Sequence, residues 1–217
     1  MLTRVVETLA PARLGISFRW FLSSAVVSNL GDGIALAAGP LLVASMTRDP
    51  FLVSMAALLQ RLPFLLFGFF AGAVADRVDR RRLVVLVDLL RAATLVALVG
   101  TIEAELVSIW VVFVTMFVLG TAETFADTAS HALLPGLMPR VDLGIANARM
   151  QGGCLTANQF LGPPVGAFLF ASGMAWPFGV NAVCFALGAV LVARITLNCA
   201  TPPANDGTAS SVRRDIV

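Results

Sequence analysis

Long apolar segments alternate with short polar connections along most of the chain, and this pattern predicts the fold class. Six segments are apolar enough to cross a membrane, because a spanning helix needs about 20 apolar residues. They cover roughly residues 19–46, 51–75, 83–102, 106–129, 148–172 and 175–198. Backbone polar groups find no partners in lipid, so each segment is expected to be helical. The pattern predicts an all-α integral membrane protein, with a bundle of six transmembrane helices over residues 19–198.

The two ends of the chain differ from this bundle. Residues 1–18 mix apolar and charged positions and are predicted to form a cytoplasmic N-terminal segment. Residues 199–217 form a cytoplasmic tail, rich in Pro, Ser, Asn and Gly from Thr201 onwards, a composition typical of disorder. An amphipathic pattern resumes at Ser211 and stops at Val217, like the start of a linker.

Composition agrees with a membrane protein and excludes a soluble domain. Of the 217 residues, 58% are hydrophobic and 13% are charged, against about 25% charged in soluble domains. Three cysteines without Cys-x-x-Cys spacing favour no disulfide, and no metal site is expected. The expected surroundings are therefore a lipid bilayer, with no nucleic-acid partner and no cofactor.

The arginines predict the orientation of the bundle. With a cytoplasmic N-terminus, the outer side holds Arg48 and the inner side holds twelve arginines, namely Arg4, Arg13, Arg19, Arg77, Arg80, Arg81, Arg82, Arg140, Arg149, Arg194, Arg213 and Arg214. Arginine-rich loops stay in the cytoplasm, so both termini are predicted to lie there, in the cell membrane. The arginines before the first segment, and its length, argue against a cleaved signal peptide.

Charged residues inside the apolar segments are the first candidates for function. Asp32 lies near the middle of the first segment, where a charge costs about 2.5–3.5 kcal/mol or more and needs a cavity or a partner. Arg61 lies at similar depth in the second segment, which runs in the opposite direction, so an Asp32–Arg61 pair is predicted. Asp32 then serves either as a proton or substrate site or as half of a structural ion pair, and both interpretations remain open.

Other polar positions extend this set. Glu123 and Asp127 share one face of the fourth segment, with Glu123 as the functional candidate and Asp127 at the inner surface. Asp88 and Arg91 are three residues apart and are predicted to pair, whereas His131 is expected at the surface. The candidate cavity-lining residues are Asn29, Gln60, Asn158 and Gln159.

The loop between the second and third segments carries the most specific pattern. Residues 72–82 read GAVADRVDRRR, with the spacing Gly-x-x-x-Asp-Arg-x-x-Arg-Arg. This spacing resembles the signature cytoplasmic loop between helices 2 and 3 of the major facilitator superfamily. The resemblance implies that Gly72 allows close helix approach and that Asp76 locks one conformation. It also implies that arginines hold the loop inside, at Arg77, Arg80 and Arg81.

Further matches extend the resemblance from about Arg19 to Arg194. They are Leu30-Gly31-Asp32-Gly33, Leu134-Pro135, Ala146-Asn147, and the element formed by Gly162, Pro163 and Gly166 in the fifth segment. The chain resembles the N-terminal half of an exporter in the drug- and macrolide-efflux branch, which includes siderophore exporters. The resemblance implies a three-plus-three inverted repeat and proton-coupled export of a small amphipathic molecule. Asp79 and Ala167 depart from the motifs, and the fourth segment lacks the buried Arg of many proton-coupled drug antiporters.

The superfamily is built from two six-helix halves with the substrate between them. One half is present here, so the expectation is an incomplete transporter half. Its partner would be the missing C-terminal six-helix half or a second copy. The alternatives are a homodimeric half-size carrier and a non-transport assembly or regulatory partner. An intramembrane enzyme is not expected, since neither a Gly-x-Ser-Gly-like site nor His-Glu-x-x-His occurs.

Overall fold

The computed structural model describes residues 14–195, and these residues form a bundle of helices. The helices are α1 (Gly15–Met46), α2 (Pro50–Arg77), α3 (Arg80–Glu103), α4 (Ile109–Leu137), α5 (Leu143–Leu155), α6 (Gly162–Ser172) and α7 (Trp176–Ala193). A π-helical segment, Thr156–Leu161, joins α5 to α6. The expectations for residues 1–13 and 196–217, including Cys199, lie outside the described residues.

Each of the six predicted segments contains helix, but the fifth is not one regular helix. Within the described range, α1, α2, α3, α4 and α7 are each long and apolar enough to span a membrane. The fifth segment is the succession of α5, the π-helical segment and α6. Several boundaries also move: α4 continues to Leu137 instead of 129, α5 begins at Leu143 instead of 148, and α7 ends at Ala193 instead of 198. Hydropathy reports only the part of a helix that lies in hydrocarbon, so polar helix ends extend beyond the apolar segment.

Side-chain caps begin three of these helices and explain the short connections. Asp49 accepts a hydrogen bond from the Phe51 amide at the start of α2, and Pro50 occupies the first helical position. Asp79 accepts from the amides of Arg81 and Arg82 at the start of α3, and Ser108 accepts from the Val111 amide at the start of α4. The departure from the family loop pattern at Asp79 is therefore a helix cap, which satisfies amides that a helix start leaves free.

α1 is the central helix of the bundle. It contacts α2, α4, α7 and every part of the broken fifth span, while α2 packs on α4 and α3 packs on α4 and α7. Glycines permit the closest approaches. A Cβ atom added at Gly162 would lie 2.5 Å from the Gly33 Cα, and one added at Gly166 would lie 2.6 Å from the Ile34 carbonyl oxygen. Small residues that let helix backbones meet are typical of membrane interfaces.

Two apolar clusters fill the bundle at its two ends. The cluster near the arginine-rich loop contains Phe18, Phe21, Leu22, Ala75, Val84, Ala129, Leu133, Leu134, Met150, Val192 and Ile195. The cluster at the opposite end contains Leu42, Val43, Ala56, Leu95, Leu98, Val112, Phe113, Met116, Phe178 and Phe185. Between them lies a buried polar layer, in which Asp32, Asp88 and Arg91 are almost fully inaccessible.

Large apolar side chains also cover the outside of the bundle, as expected where lipid or another membrane subunit replaces water. α2 is the least buried of the spanning helices, with 17% of its most apolar window inside the bundle. Its outward side chains include Phe64, Leu65, Phe69 and Phe70. The three-plus-three repeat expected from the sequence stays a prediction.

Candidate functional site

A buried arginine between two carboxylates forms the centre of the polar layer. One terminal nitrogen of Arg91, Nη2, lies 3.2 Å from Asp32 Oδ1, and the other, Nη1, lies 3.6 Å from Asp88 Oδ1. Arg91 and Asp88 are 1% exposed and Asp32 is 5% exposed. The three groups carry a formal charge of −1 when ionised. Ion pairing and burial in the protein interior are how such charges are accommodated in a membrane.

The predicted Asp32–Arg61 pair is wrong. Arg91 of α3 is the partner of Asp32, and Arg61 instead approaches Glu123 of α4, with 3.5 Å between Arg61 Nη1 and Glu123 Oε1. Asp32 and Arg61 were expected to pair because they lie at similar depth on two antiparallel helices. Depth does not determine the direction in which a side chain points from its helix. The predicted pairing of Asp88 with Arg91 is confirmed.

Neighbouring side chains contact some, but not all, of the polar atoms in the buried cluster. Ser28 donates a hydrogen bond to Asp88 Oδ2 at 3.3 Å. The Arg91 guanidinium carbon lies 4.6 Å from the centre of the Phe185 ring, a cation–π contact. Among the described residues, however, Arg91 Nε and Asp88 Oδ1 have no hydrogen-bond partner. Buried polar atoms normally find partners, so these atoms point to water in the adjoining space.

A cavity of about 120 Å³ adjoins the cluster. Its polar lining residues are Ser24, Ser28, Asn29, Asp32, Asp88, Arg91, Asp127, Ser130, His131 and Gln151. The lining runs from mid-helix positions to the ends of α3, α4 and α7 that lie near the arginine-rich loop. His131 and Gln151 are exposed, so the cavity, named here the inner cavity, reaches the surface at that end. The surface position predicted for His131 is confirmed, although the residue also lines the inner cavity.

A second space of about 250 Å³ lies between α2 and α4. This α2–α4 groove is lined by Gln60, Arg61, Phe64, Gly120, Glu123, Thr124 and Asp127. Gln60 is 3% exposed and its Oε1 has no partner among the described residues. Asp127 borders both the groove and the inner cavity. The predicted inner-surface position of Asp127 is therefore incomplete, because its carboxylate also separates two polar spaces.

The other predicted cavity-lining residues belong to α1 and the fifth span. Asn29 lines the inner cavity and donates to the Ala25 carbonyl oxygen at 2.9 Å. Asn158 is buried in the π-helical segment and accepts a 2.7 Å hydrogen bond from Gln159. π-helical turns often occur at functional sites. Pro163 follows Gly162 at the start of α6, where a proline is compatible with the helix.

The arginine-rich loop holds the inner ends of several helices together. Asp76 and Arg80 form an ion pair of 3.1 Å, and Arg80 also donates to the Ala132 carbonyl oxygen at 2.8 Å. Arg81 donates to the carbonyl oxygens of Val192 and Ala193 at the end of α7, where helix carbonyls lack partners. Arg77 is exposed at the end of α2.

The close approach expected at Gly72 is not made among the described residues. A Cβ atom added there would meet no other atom within 4 Å. Gly72 is on α2, the helix with the largest outward-facing surface, so its lack of a side chain has no packing reason within this bundle. The six-helix unit itself uses Gly33, Gly162 and Gly166 for close approach.

Two sets of buried polar residues are more prominent in the structure than their sequence pattern indicates. Asp88 and Arg91 were treated as a local pair, although an ionisable residue inside an apolar segment is the same signal that singled out Asp32. Asn181 of α7 was not considered. It is fully buried beside Gly31, and both of its amide side-chain atoms lack partners among the described residues. Its signal in the sequence is one amide in an apolar segment, which is weak.

Comparisons with known proteins agree with the membrane architecture. A sequence model of a major facilitator family described as "Transmembrane secretion effector" matches residues 6–206. Macrolide efflux protein A of Streptococcus pyogenes is 28% identical over 151 residues, which are 70% of this chain and 36% of that protein. The Enterococcus faecalis protein of the same name is 26% identical over 155 residues, or 71% of this chain and 47% of that protein.

A relative named as an uncharacterised MFS-type transporter also matches most of the chain. The MFS-type transporter YfiS of Bacillus subtilis is 27% identical over 173 residues, which are 79% of this chain and 40% of that protein. This chain thus spans less than half the length of these curated relatives. The family match covers most of the chain, and the efflux proteins among its relatives agree with it. The chain belongs to the major facilitator superfamily, in its group of transporters similar to drug-efflux proteins.

Proposed function

We propose that this chain forms the six-helix half of a secondary transporter that exports a small amphipathic molecule in exchange for protons. The observation that carries the proposal is the membrane-buried cluster of Asp32, Arg91 and Asp88. Two carboxylates share one guanidinium, so protonation of one leaves the other paired. A group that binds and releases a proton without losing all its partners is suited to a transport cycle.

The substrate class rests on the named relatives and on cavity size. Macrolide efflux protein A is the name of relatives from two species, and a macrolide is an amphipathic small molecule of drug size. The inner cavity of about 120 Å³ is well below the roughly 300–1,000 Å³ of sites for drug-sized ligands. A substrate of that size would bind outside this bundle, against a second six-helix unit. That unit would be a C-terminal half or a second copy.

Everted membrane vesicles in which this chain is assembled with a second six-helix unit test this proposal. An acid interior should drive uptake of radiolabelled erythromycin, and collapse of the pH gradient with nigericin should stop it. Asp32→Asn should abolish uptake against a concentration gradient while facilitated movement down a gradient persists. Ser45→Ala, at the opposite end of α1, is a control expected to transport normally. Uptake that is unaffected by nigericin would reject proton coupling.

A further inference from the structure

The inner cavity and the α2–α4 groove approach each other at one residue. The cavity reaches from Asp32 and Arg91 to the end of the bundle that bears the arginine-rich loop. The groove lies on the flank of the bundle and holds the Arg61–Glu123 ion pair. Asp127 lines both spaces. It lies one helical turn after Glu123, so the two carboxylates follow each other along one face of α4.

The size and chemistry of the cavity favour water as its content. A volume of about 120 Å³ holds several waters, each of which occupies about 30 Å³ in the liquid. Arg91 is 1% exposed, lines the cavity, and has an Nε without a partner among the described residues. Asp88 Oδ1 also has no hydrogen-bond partner among the described residues, although it lies 3.6 Å from Arg91 Nη1. Water in the cavity would satisfy these atoms and would connect the buried cluster to Ser130 and His131.

From these contacts we infer that the bundle contains its own proton pathway, which crosses from the α2–α4 groove to the inner cavity at Asp127. This inference rests on the proposed function and adds the route. A proton enters the groove and binds the Glu123 or Asp127 carboxylate. It passes from Asp127 to water in the inner cavity, exchanges with Asp32 and Asp88 beside Arg91, and leaves past His131. Only the proton moves, and each carboxylate returns to its ionised form.

Charged and titratable groups surround Asp127 on each neighbouring element. They are Asp32 on α1, Arg61 on α2, Asp88 and Arg91 on α3, Glu123 and His131 on α4, and Cys154 on α5. Asp127 is the member of this group that lines both spaces. A single substitution at Asp127 should therefore interrupt the route.

Water access in the inner cavity is tested first, independently of transport. In the full chain in which Cys154, Cys184 and Cys199 are replaced by Ala, Ala25→Cys places a thiol on the cavity wall. Val114→Cys places a matched thiol on the outward face of α4, where the native side chain is 63% exposed to the surroundings of the bundle. In liposomes, 2-aminoethyl methanethiosulfonate should modify the Ala25→Cys protein, seen as a mass shift, and should leave the Val114→Cys protein unmodified. An unreactive Ala25→Cys protein would overturn the pathway.

The second test addresses the crossing point. Asp127→Asn should lose proton-driven erythromycin uptake while substrate exchange at equal pH persists, and Asp127→Glu should restore the driven uptake. Thr128→Ala is the neighbouring control and should behave as the unmodified protein. Normal driven uptake by Asp127→Asn, together with loss in Asp32→Asn, rejects this route and retains the proposed function. Absence of proton-driven uptake by the unmodified chain when it is assembled with a second six-helix unit rejects both. Elution of every variant as a single species excludes misfolding as the cause.

Discussion

Arg91 stabilises the interior of the bundle by pairing with two carboxylates that are out of reach of bulk solvent. Its guanidinium contacts Asp32, Asp88 and the Phe185 ring. Arg61 makes a different kind of ion pair, because its side chain is half exposed on the flank of α2. The desolvation of a buried pair is large, so loss of one partner leaves a charge that nothing compensates. The two arginines should therefore respond differently to the same substitution.

Arg91→Gln should lower the free energy of unfolding by about 3–5 kcal/mol, because it leaves Asp32 and Asp88 buried without a cation. Adding Asp32→Asn should recover part of this loss, since one of the two unpaired charges is removed. Thermal unfolding in detergent at neutral pH measures both effects.

Arg61→Gln is the matched control for the Arg91 substitution. The Arg61 side chain is 50% exposed and the Glu123 side chain 13%, so the substitution leaves one carboxylate that is still partly accessible, and the melting temperature should fall less than in Arg91→Gln. Equal losses for Arg91→Gln and Arg61→Gln would contradict the view that burial of the Arg91 cluster decides its importance.

At the scale of helices, contact between α1 and α6 depends on two backbones that meet without side chains between them. Gly33 and Gly162 face each other, and Gly166 faces the Ile34 backbone. The π-helical segment lies immediately before this contact and holds Asn158 against α1, whose Gly33 meets the Asn158 carbonyl oxygen. A side chain at either glycine would push rigid backbone apart instead of displacing a flexible group.

Gly162→Ala should destabilise the bundle by about 1–3 kcal/mol, the usual effect of overpacking a close contact. Its added Cβ would lie 2.5 Å from the Gly33 Cα. The control is Gly100→Ala in α3, where an added Cβ meets nothing within 4 Å. There the substitution should be neutral or should stabilise the helix by about 0.5–1 kcal/mol. Thermal unfolding measures the stability of both variants. A Gly162→Ala protein as stable as the unmodified protein would show that the interface tolerates a wider separation of α1 and α6.

For the whole molecule, the arginine distribution predicts which end of the bundle faces the cytoplasm. Cysteine substitution in a cysteine-free chain checks this orientation. The Arg82 side chain is 87% exposed at the arginine-rich end, and Leu106 is 74% exposed at the other end. A membrane-impermeant maleimide added to intact cells should label Leu106→Cys and should label Arg82→Cys only after the cells are opened. The reverse labelling pattern would invert the predicted topology.

Under the proposed function, a single bundle would present only one wall of a site between two six-helix units. Alternating access requires two such units to move against each other. In liposomes, these 217 residues as separate single bundles should give no gradient-driven efflux of a panel of fluorescent dyes. Crosslinking shows whether the bundles remain single or associate. Driven efflux from a population that contains only single bundles would refute the two-unit requirement.

Local sequence was sufficient for the helical class, the arginine-rich loop and the membrane setting. Each of these follows from hydropathy, from residue spacing over a few positions, or from the charge of a connection. Asp32 and Glu123 were recognised as polar residues in apolar segments for the same reason. The division of the fifth span into α5, the π-helical segment and α6 was not predictable in detail, because Pro and Gly indicate irregularity without specifying its form.

Tertiary structure alone decided which buried charges pair between different helices, whereas the pair of Asp88 with Arg91 followed from their spacing on one helix. Depth along a helix follows from sequence number, so Asp32 and Arg61 were both expected near mid-membrane. The direction of each side chain around its helix depends on how α1, α2, α3 and α4 rotate when they pack. That rotation turned Arg91 toward Asp32 and Arg61 toward Glu123, and it left Asp127 between two polar spaces. The sequence by itself determined which charges enter the membrane, and only the packing of the helices determined which charges on different helices meet.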